Sequence, residues 1–201
     1  MLMASGCVII GQHADSTGAP SAVQAAHEKG TVAYSVGYNI DMQSVAPDVA
    51  LTSATNNWAV YYEYAISTLQ KGEKLPQNWA EGYEKDAVKI TDLGSVCAEG
   101  TAEKVEEVVA AIKAGELHVF DTEKFTVKGE KVDSCVIDLN NNFETTDPED
   151  KEAIWDGYFH ESELRSAPSF ALDIDGITKL HADLRYSDTQ READRGRSGL
   201  L

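Results

Sequence analysis

Arginine is absent from the first 164 residues of this 201-residue chain, and basic residues are few throughout. Lysine and arginine number 17 against 34 aspartates and glutamates, a formal net charge of −17. Such a surface repels phosphate backbones and argues against a nucleic-acid partner. Cysteine is also scarce. Cys7, Cys97 and Cys135 are odd in number, widely spaced and without a C-x-x-C pair. That argues against a zinc site and a disulfide framework; three buried thiols are expected, with one disulfide as the alternative. No apolar run approaches the roughly 20 residues needed to span a bilayer, so no transmembrane segment is expected. His13, His27, His118, His160 and His181 show no metal-ligand spacing. Neither a G-x-S-x-G elbow nor an H-E-x-x-H pair is present. A hydrolase built on His13, Asp15 and nearby Cys7 is the enzymatic alternative, but Cys7 opens an apolar strand. No cofactor is called for.

What is present describes an ordinary globular chain. It is 42% hydrophobic and 25% charged, and long enough for one domain with a sizeable core. Leu2-Met3-Ala4-Ser5-Gly6-Cys7 has the look of a lipoprotein cleavage box. A signal needs a basic region and an apolar run ahead of the box, and neither precedes Leu2. The expectation is a helix end closed by Gly6, then a buried strand Cys7-Val8-Ile9-Ile10.

A polar loop, Gly11 to Gly18, follows that strand. Pro20 opens a helix through Val23, Ala25 and Ala26 that Gly30 ends. Thr31 to Tyr38, rich in β-branched and aromatic residues, is the next strand, and Val49 to Ala54 a third. Asn57 is placed to cap a helix from Trp58 to about Lys71, closed by Gly72. Alternation at this spacing predicts βαβ units and a parallel sheet with right-handed connections. Ligands of such sheets bind beyond the carboxyl ends of the strands. The three loops there supply the candidate site: Gln12, His13, Asp15 and Ser16; then Asn39 and Asp41; then Asn56, with Trp58 just beyond.

The second half reads differently. Glu81 to Leu93 alternates like a solvent-faced strand or hairpin. Val105, Val108, Val109 and Ile112 mark one face of a helix from Thr101 to Ala114, ended by Gly115. His118 to Phe120, Phe125 to Val127 and the turn Lys128 to Lys131 suggest a small antiparallel excursion. Asp147-Pro148 is expected to start a further helix. Arg185, Arg191, Arg195 and Arg197 then crowd into the last 17 residues with little apolar mass. Residues 1–181 are therefore read as the folded portion and 182–201 as a disordered tail.

The order of these segments resembles the basic membrane protein family of substrate-binding proteins, which serve ABC importers and include receptors for purine nucleosides. The resemblance rests on Val8 to Ser16 followed by Val23-Gln24-Ala25-Ala26, on Val36-Gly37-Tyr38-Asn39-Ile40-Asp41-Met42, on Ala46-Pro47 and Leu51-Thr52-Ser53-Ala54, on Asn57-Trp58 with Tyr61-Tyr62, and on Gly115 to Phe120. It runs from about residue 2 to about residue 180. It implies the type I periplasmic-binding-protein fold, two α/β lobes gripping a ligand between them, with a membrane permease as partner and an extracytoplasmic, lipid-anchored or periplasmic location. It also implies roughly 150 further residues before Met1, most of a first lobe, by the usual size of a lobe.

Residue by residue the match is partial. Asn39 stands where many members have the first aspartate of a Gly-x-Asp-x-Asp run, and Asp41 matches the second. Asn56 stands where nucleoside-binding members often have lysine, and Asp15-Ser16 replace a common Gly-Gly. A bare base or another small polar ligand is thus an alternative to a nucleoside. A ligand-sensing regulatory domain on the same fold is the alternative outside transport. Each candidate also has a local reading. Asp15 is a potential helix cap, Asn39 and Asp41 potential turn formers, and Asn56 a partner of Asn57 in capping. His13 and Trp58 are potential core residues.

Overall fold

The computed structural model describes residues 2–140, 142, 144–161, 163, 164, 170 and 172–178. The arginine-rich stretch 182–201, and the disorder expected of it, lies outside the described residues. Gly6, at φ 88, closes a short 3-10 turn over Met3–Ser5, as the sequence predicts. Strand β1 (Ile9–Gly11) follows, then helix α1 (Gly18–His27), β2 (Tyr34–Tyr38), β3 (Ala50–Asn56), helix α2 (Trp58–Gln70) and β4 (Val88–Ile90). These four strands form one sheet in the order β1-β2-β3-β4. β1, β2 and β3 run parallel, and β4 is an antiparallel edge strand. The parallel α/β core is therefore the one the alternating pattern predicts.

The core lies under one face of this sheet. Ile10, Val23, Ala33, Met42, Ala46, Val49 and Ala50 are buried together, with α1 packed on β1 and β2. Pro20 is buried within the first turn of α1, where its missing N–H costs nothing. Small residues let the 42–50 loop press against the strands. A Cβ on Gly37 would fall 2.3 Å from Ser53 Oγ and 2.6 Å from Met42 Cγ, so the position admits no side chain.

The first strand is not buried as its apolar run predicts. Val8 and Ile9 are 55% and 58% exposed, Ile10 is buried in the core, and Cys7 packs against it half-buried. The reason is position: β1 pairs with β2 alone among the described strands, so one side of its run is left uncovered. Asn57 precedes α2 without capping it by its side chain, contrary to expectation. Its Nδ2 donates instead to the Asp86 carbonyl at 3.0 Å, tying the helix start to the turn before β4. The segment from Glu81 to Leu93 proves to be a 3-10 turn, Tyr83–Lys85, and the short strand β4.

Helix α3 (Thr101–Lys113) forms where the periodicity places it, with Gly115 at φ 71 just past its end. Its apolar face is half-buried, and Lys113 holds Asp86 at 2.5 Å. Beyond it a second, smaller core gathers Ile137, Ala153, Ile154 and Phe159. Two hairpin-like pairs frame that core, β5 (Val136–Ile137) with β6 (Lys151–Glu152), and β7 (Ile154–Trp155) with β8 (Tyr158–Phe159). The excursion expected over 118–131 reduces to isolated bridges, Asp121 with Tyr158 and Val127 with Glu130, around a Lys128-Gly129 turn. The helix expected from Asp147-Pro148 does not form. Asp147 and Asp150 close a turn on each other, with Asp150 N–H to the Asp147 carbonyl at 3.1 Å and Asp147 N–H to Asp150 Oδ2 at 2.9 Å. Lys151 then enters β6, whose pairing outweighs a short acidic helix with no apolar face.

The three cysteines are free and half-buried rather than fully buried.

Candidate functional site

The loops after β1 and β2 meet around a cavity of about 250 Å³ lined by Asp15, Ser16, Thr17, Tyr38, Asn39, Ile40 and Met42. It lies at the carboxyl ends of parallel strands, where the topology predicts a site. Asn39 is its most constrained member. It sits at φ 71, the left-handed region that asparagine tolerates better than most side chains. Its N–H donates to the Ala54 carbonyl at 2.7 Å, and its own carbonyl accepts from Thr55 Oγ1 at 2.6 Å. Its Nδ2 donates to Asp15 Oδ1 at 3.0 Å. One residue thus ties the loop after β1 and the end of β2 to β3.

Gln12 braces the first loop from within. Its Nε2 donates to the carbonyls of Ser16 at 2.8 Å and Ala14 at 3.2 Å. Ser16 Oγ accepts from the Gly18 N–H at 3.4 Å. The capping expected of Asp15 does not form, because Thr17 stands at the N-cap of α1 without a side-chain bond; Asp15 turns to Asn39 instead. His13 is exposed and rests its ring against Tyr38, with centroids 4.5 Å apart, rather than entering the core.

The remaining candidates stand apart from the cavity. Asp41 Oδ1 accepts from the Gln43 N–H at 2.8 Å, the local turn its residue type favours. Asn56 ends β3 opposite Val88. Trp58, 55% exposed on the first turn of α2, is not a core residue. Of its neighbours, Tyr61 packs on Trp79 at 5.1 Å while Tyr62 is exposed. The structure thus brings Asp15, Ser16 and Asn39 together, with Gln12 and His13 as supports, and leaves Asp41, Asn56 and Trp58 outside the lining. The loop-by-loop reading missed Tyr38, Thr17, Ile40 and Met42. Tyr38 carried a signal, an aromatic as the last residue of a strand facing the same loops.

A second cavity of about 320 Å³ lies between Glu123–Lys131 and Ile174–Asp175. Of its two acids, Glu123 and Asp175, the second is already engaged. Asp175 accepts from Thr126 Oγ1 at 2.6 Å and from the N–H groups of Gly129 at 2.7 Å and Lys128 at 3.0 Å. The Thr126 hydroxyl first, then the Gly129 N–H, holds its carboxyl below the usual range. These bonds build a turn and leave Asp175 little capacity for a ligand.

A parallel α/β sheet with a cavity at its carboxyl ends defines the class, a lobe of the periplasmic-binding-protein type. The chain belongs to the Bmp family of PnrA-like ABC transporter substrate-binding proteins, whose family model matches residues 1–123. It is 32% identical over 157 residues to a purine-binding protein of Brucella abortus (strain 2308), across 75% of this chain and 43% of the relative. The chain therefore spans less than half the length of that curated relative. It is also similar to the crystal structure of a transcriptional activator of the comK gene from Bacillus halodurans. That match has a TM-score of 0.48 at 17% identity and covers 59% of this chain and 41% of the other. Among the described residues no helix is long and apolar enough to cross a membrane.

Proposed function

We propose that this chain supplies one wall of a solute receptor for an ABC importer, that its ligand is a purine base or nucleoside, and that the ligand lies against the cavity at the ends of β1 and β2. The observation that carries the reading is Asn39, fixed through its N–H, its carbonyl and its side chain at the rim of that cavity. Family membership and the purine-binding relative support the choice of ligand. Tyr38 offers a ring face for stacking, and Asp15, Ser16 and Thr17 offer polar groups at its edge.

Asp15, Ser16, Thr17 and Ile40 are exposed, so this wall alone covers a ligand poorly. Binding by the chain as it stands is therefore weak, and grip comes from closure of a second wall over the ligand. Closure excludes water and strengthens each hydrogen bond in the cleft. The closed receptor is then presented to a membrane permease on the extracytoplasmic side, whether periplasmic or lipid-anchored.

The test compares Asn39→Ala and Asp41→Ala by titration with inosine at millimolar concentrations, followed by amide shifts. Loss of the Asn39 contact is expected to weaken binding by about 1–3 kcal/mol, roughly tenfold or more. Asp41→Ala has the smaller effect, because that carboxylate serves its own turn. Wild-type binding by both variants would show that the site is misplaced.

A further inference from the structure

We propose that Asp15 is the specificity-determining residue of this cavity, and that with Asn39 it selects ligands presenting adjacent hydrogen-bond donors. The inference rests on the reading of the cavity as a purine-type site. A carboxylate only accepts hydrogen bonds, so the 3.0 Å contact with Asp15 dictates which way the Asn39 amide faces. Nδ2 is turned to Asp15, and Asn39 Oδ1 is turned from it. Two acceptors remain with no partner among the described residues, Asn39 Oδ1 and the second oxygen of Asp15. Neither can become a donor by rotating. The Asn39 backbone is fixed at φ 71 by the Ala54 and Thr55 bonds, so the amide cannot swing away without losing its tie to Asp15.

The other polar groups of the lining do not discriminate. The hydroxyls of Ser16 and Thr17 rotate and can donate or accept according to the ligand. Selectivity therefore falls to the fixed pair. A ligand that turns a lone acceptor toward this pair gains no hydrogen bond from it and sets like charge against like, whereas adjacent donors satisfy both oxygens. Two sources supply adjacent donors on a purine ligand: the N1–H and 2-amino group of a guanine edge, and the vicinal hydroxyls of a ribose. Asp15 takes the place of a small residue, and Asn39 that of a carboxylate, in the family pattern that this segment resembles.

Titration of the full 201-residue chain, labelled with nitrogen-15, separates the sources. Guanosine against inosine removes the 2-amino donor, and inosine against 2′,3′-dideoxyinosine removes the hydroxyl donors. In the wild type one of these deletions is expected to weaken binding roughly tenfold. Asp15→Asn keeps an acceptor for the Asn39 amide but puts an NH2 group in place of the free oxygen, so it should bring that ratio near one. Unchanged ratios in Asp15→Asn, or no discrimination by the wild type in either arm, overturn the inference and leave the receptor reading standing. If no nucleoside shifts residues 12–17 or 38–42, the purine-site reading itself fails, and the inference with it. Amide shifts of Asp15→Asn that match the wild type outside these loops confirm that the variant is folded.

Discussion

Around β1–β3 the chain is ordered by apolar packing: Val23 of α1 shares a core with Ile10 and Val49, and parallel strands register against one another. Around β5–β8 the strands are two residues long, and a single carboxylate does much of the organising. Glu152 accepts from Ser134 Oγ at 2.6 Å and from the N–H groups of Cys135 at 2.7 Å, Ile154 at 2.8 Å and Ala153 at 2.9 Å. Desolvation pushes its carboxyl upward, but these four bonds together outweigh it and the pKa is lowered. The neighbouring Cys135 thiol is pushed up, by burial first and then by the Glu152 charge. A parallel sheet can thus be laid down by pattern, whereas short hairpins depend on individual polar ties.

The largest test of this contrast is Phe159→Ala. Phe159 is fully buried and meets Phe170 edge-on at 4.7 Å. Its loss should cost about 3–5 kcal/mol. Hydrogen exchange should then show amides of 135–160 losing protection while those of β1–β3 keep theirs; equal loss in both would make the two regions one cooperative unit.

Gly94→Ala strikes the sheet instead. A Cβ there would lie 1.9 Å from the Ala50 carbonyl oxygen, and the Gly94 N–H donates to Leu51 at 2.8 Å. The segment after β4 must move off β3, at roughly 1–3 kcal/mol in melting experiments. An unchanged midpoint would show that this approach is not required.

Glu152→Gln should be smaller and dependent on pH. A carboxyl held below its ordinary value of 4.5 stabilises the fold above that pH, and the contribution disappears as pH falls through the lower folded value. The wild type should therefore lose protection around β5–β6 on acidification below 4.5, while the variant, already lacking that contribution, varies less with pH. Parallel curves for the two proteins would remove Glu152 from the account.

The same contrast decides how much was legible in the sequence. The helix at Thr101 declares itself by apolar period, the helix at Trp58 by its closing glycine, and the parallel strands by β-branched runs bounded by polar loops. Val8 and Ile9 mislead, because an apolar run carries no record of whether a neighbour covers it. Asp147-Pro148 misleads because a capping pair is also a turn pair, and strand pairing further along settles which is used. At the site, the loops at strand ends pointed to Asp15, Ser16 and Asn39. The Asp15–Asn39 bond spans 24 positions, and no local spacing encodes it. Asp41 could not be told from a turn former until its bond to Gln43 was seen.

The most direct test of the account is an amide shift map of the nitrogen-15-labelled chain with millimolar inosine. Shifts are expected to concentrate at residues 12–17 and 38–42, with residues 123–131 and 174–175 unmoved. Shifts concentrated at the second cavity or along α2, with the two loops silent, would contradict it.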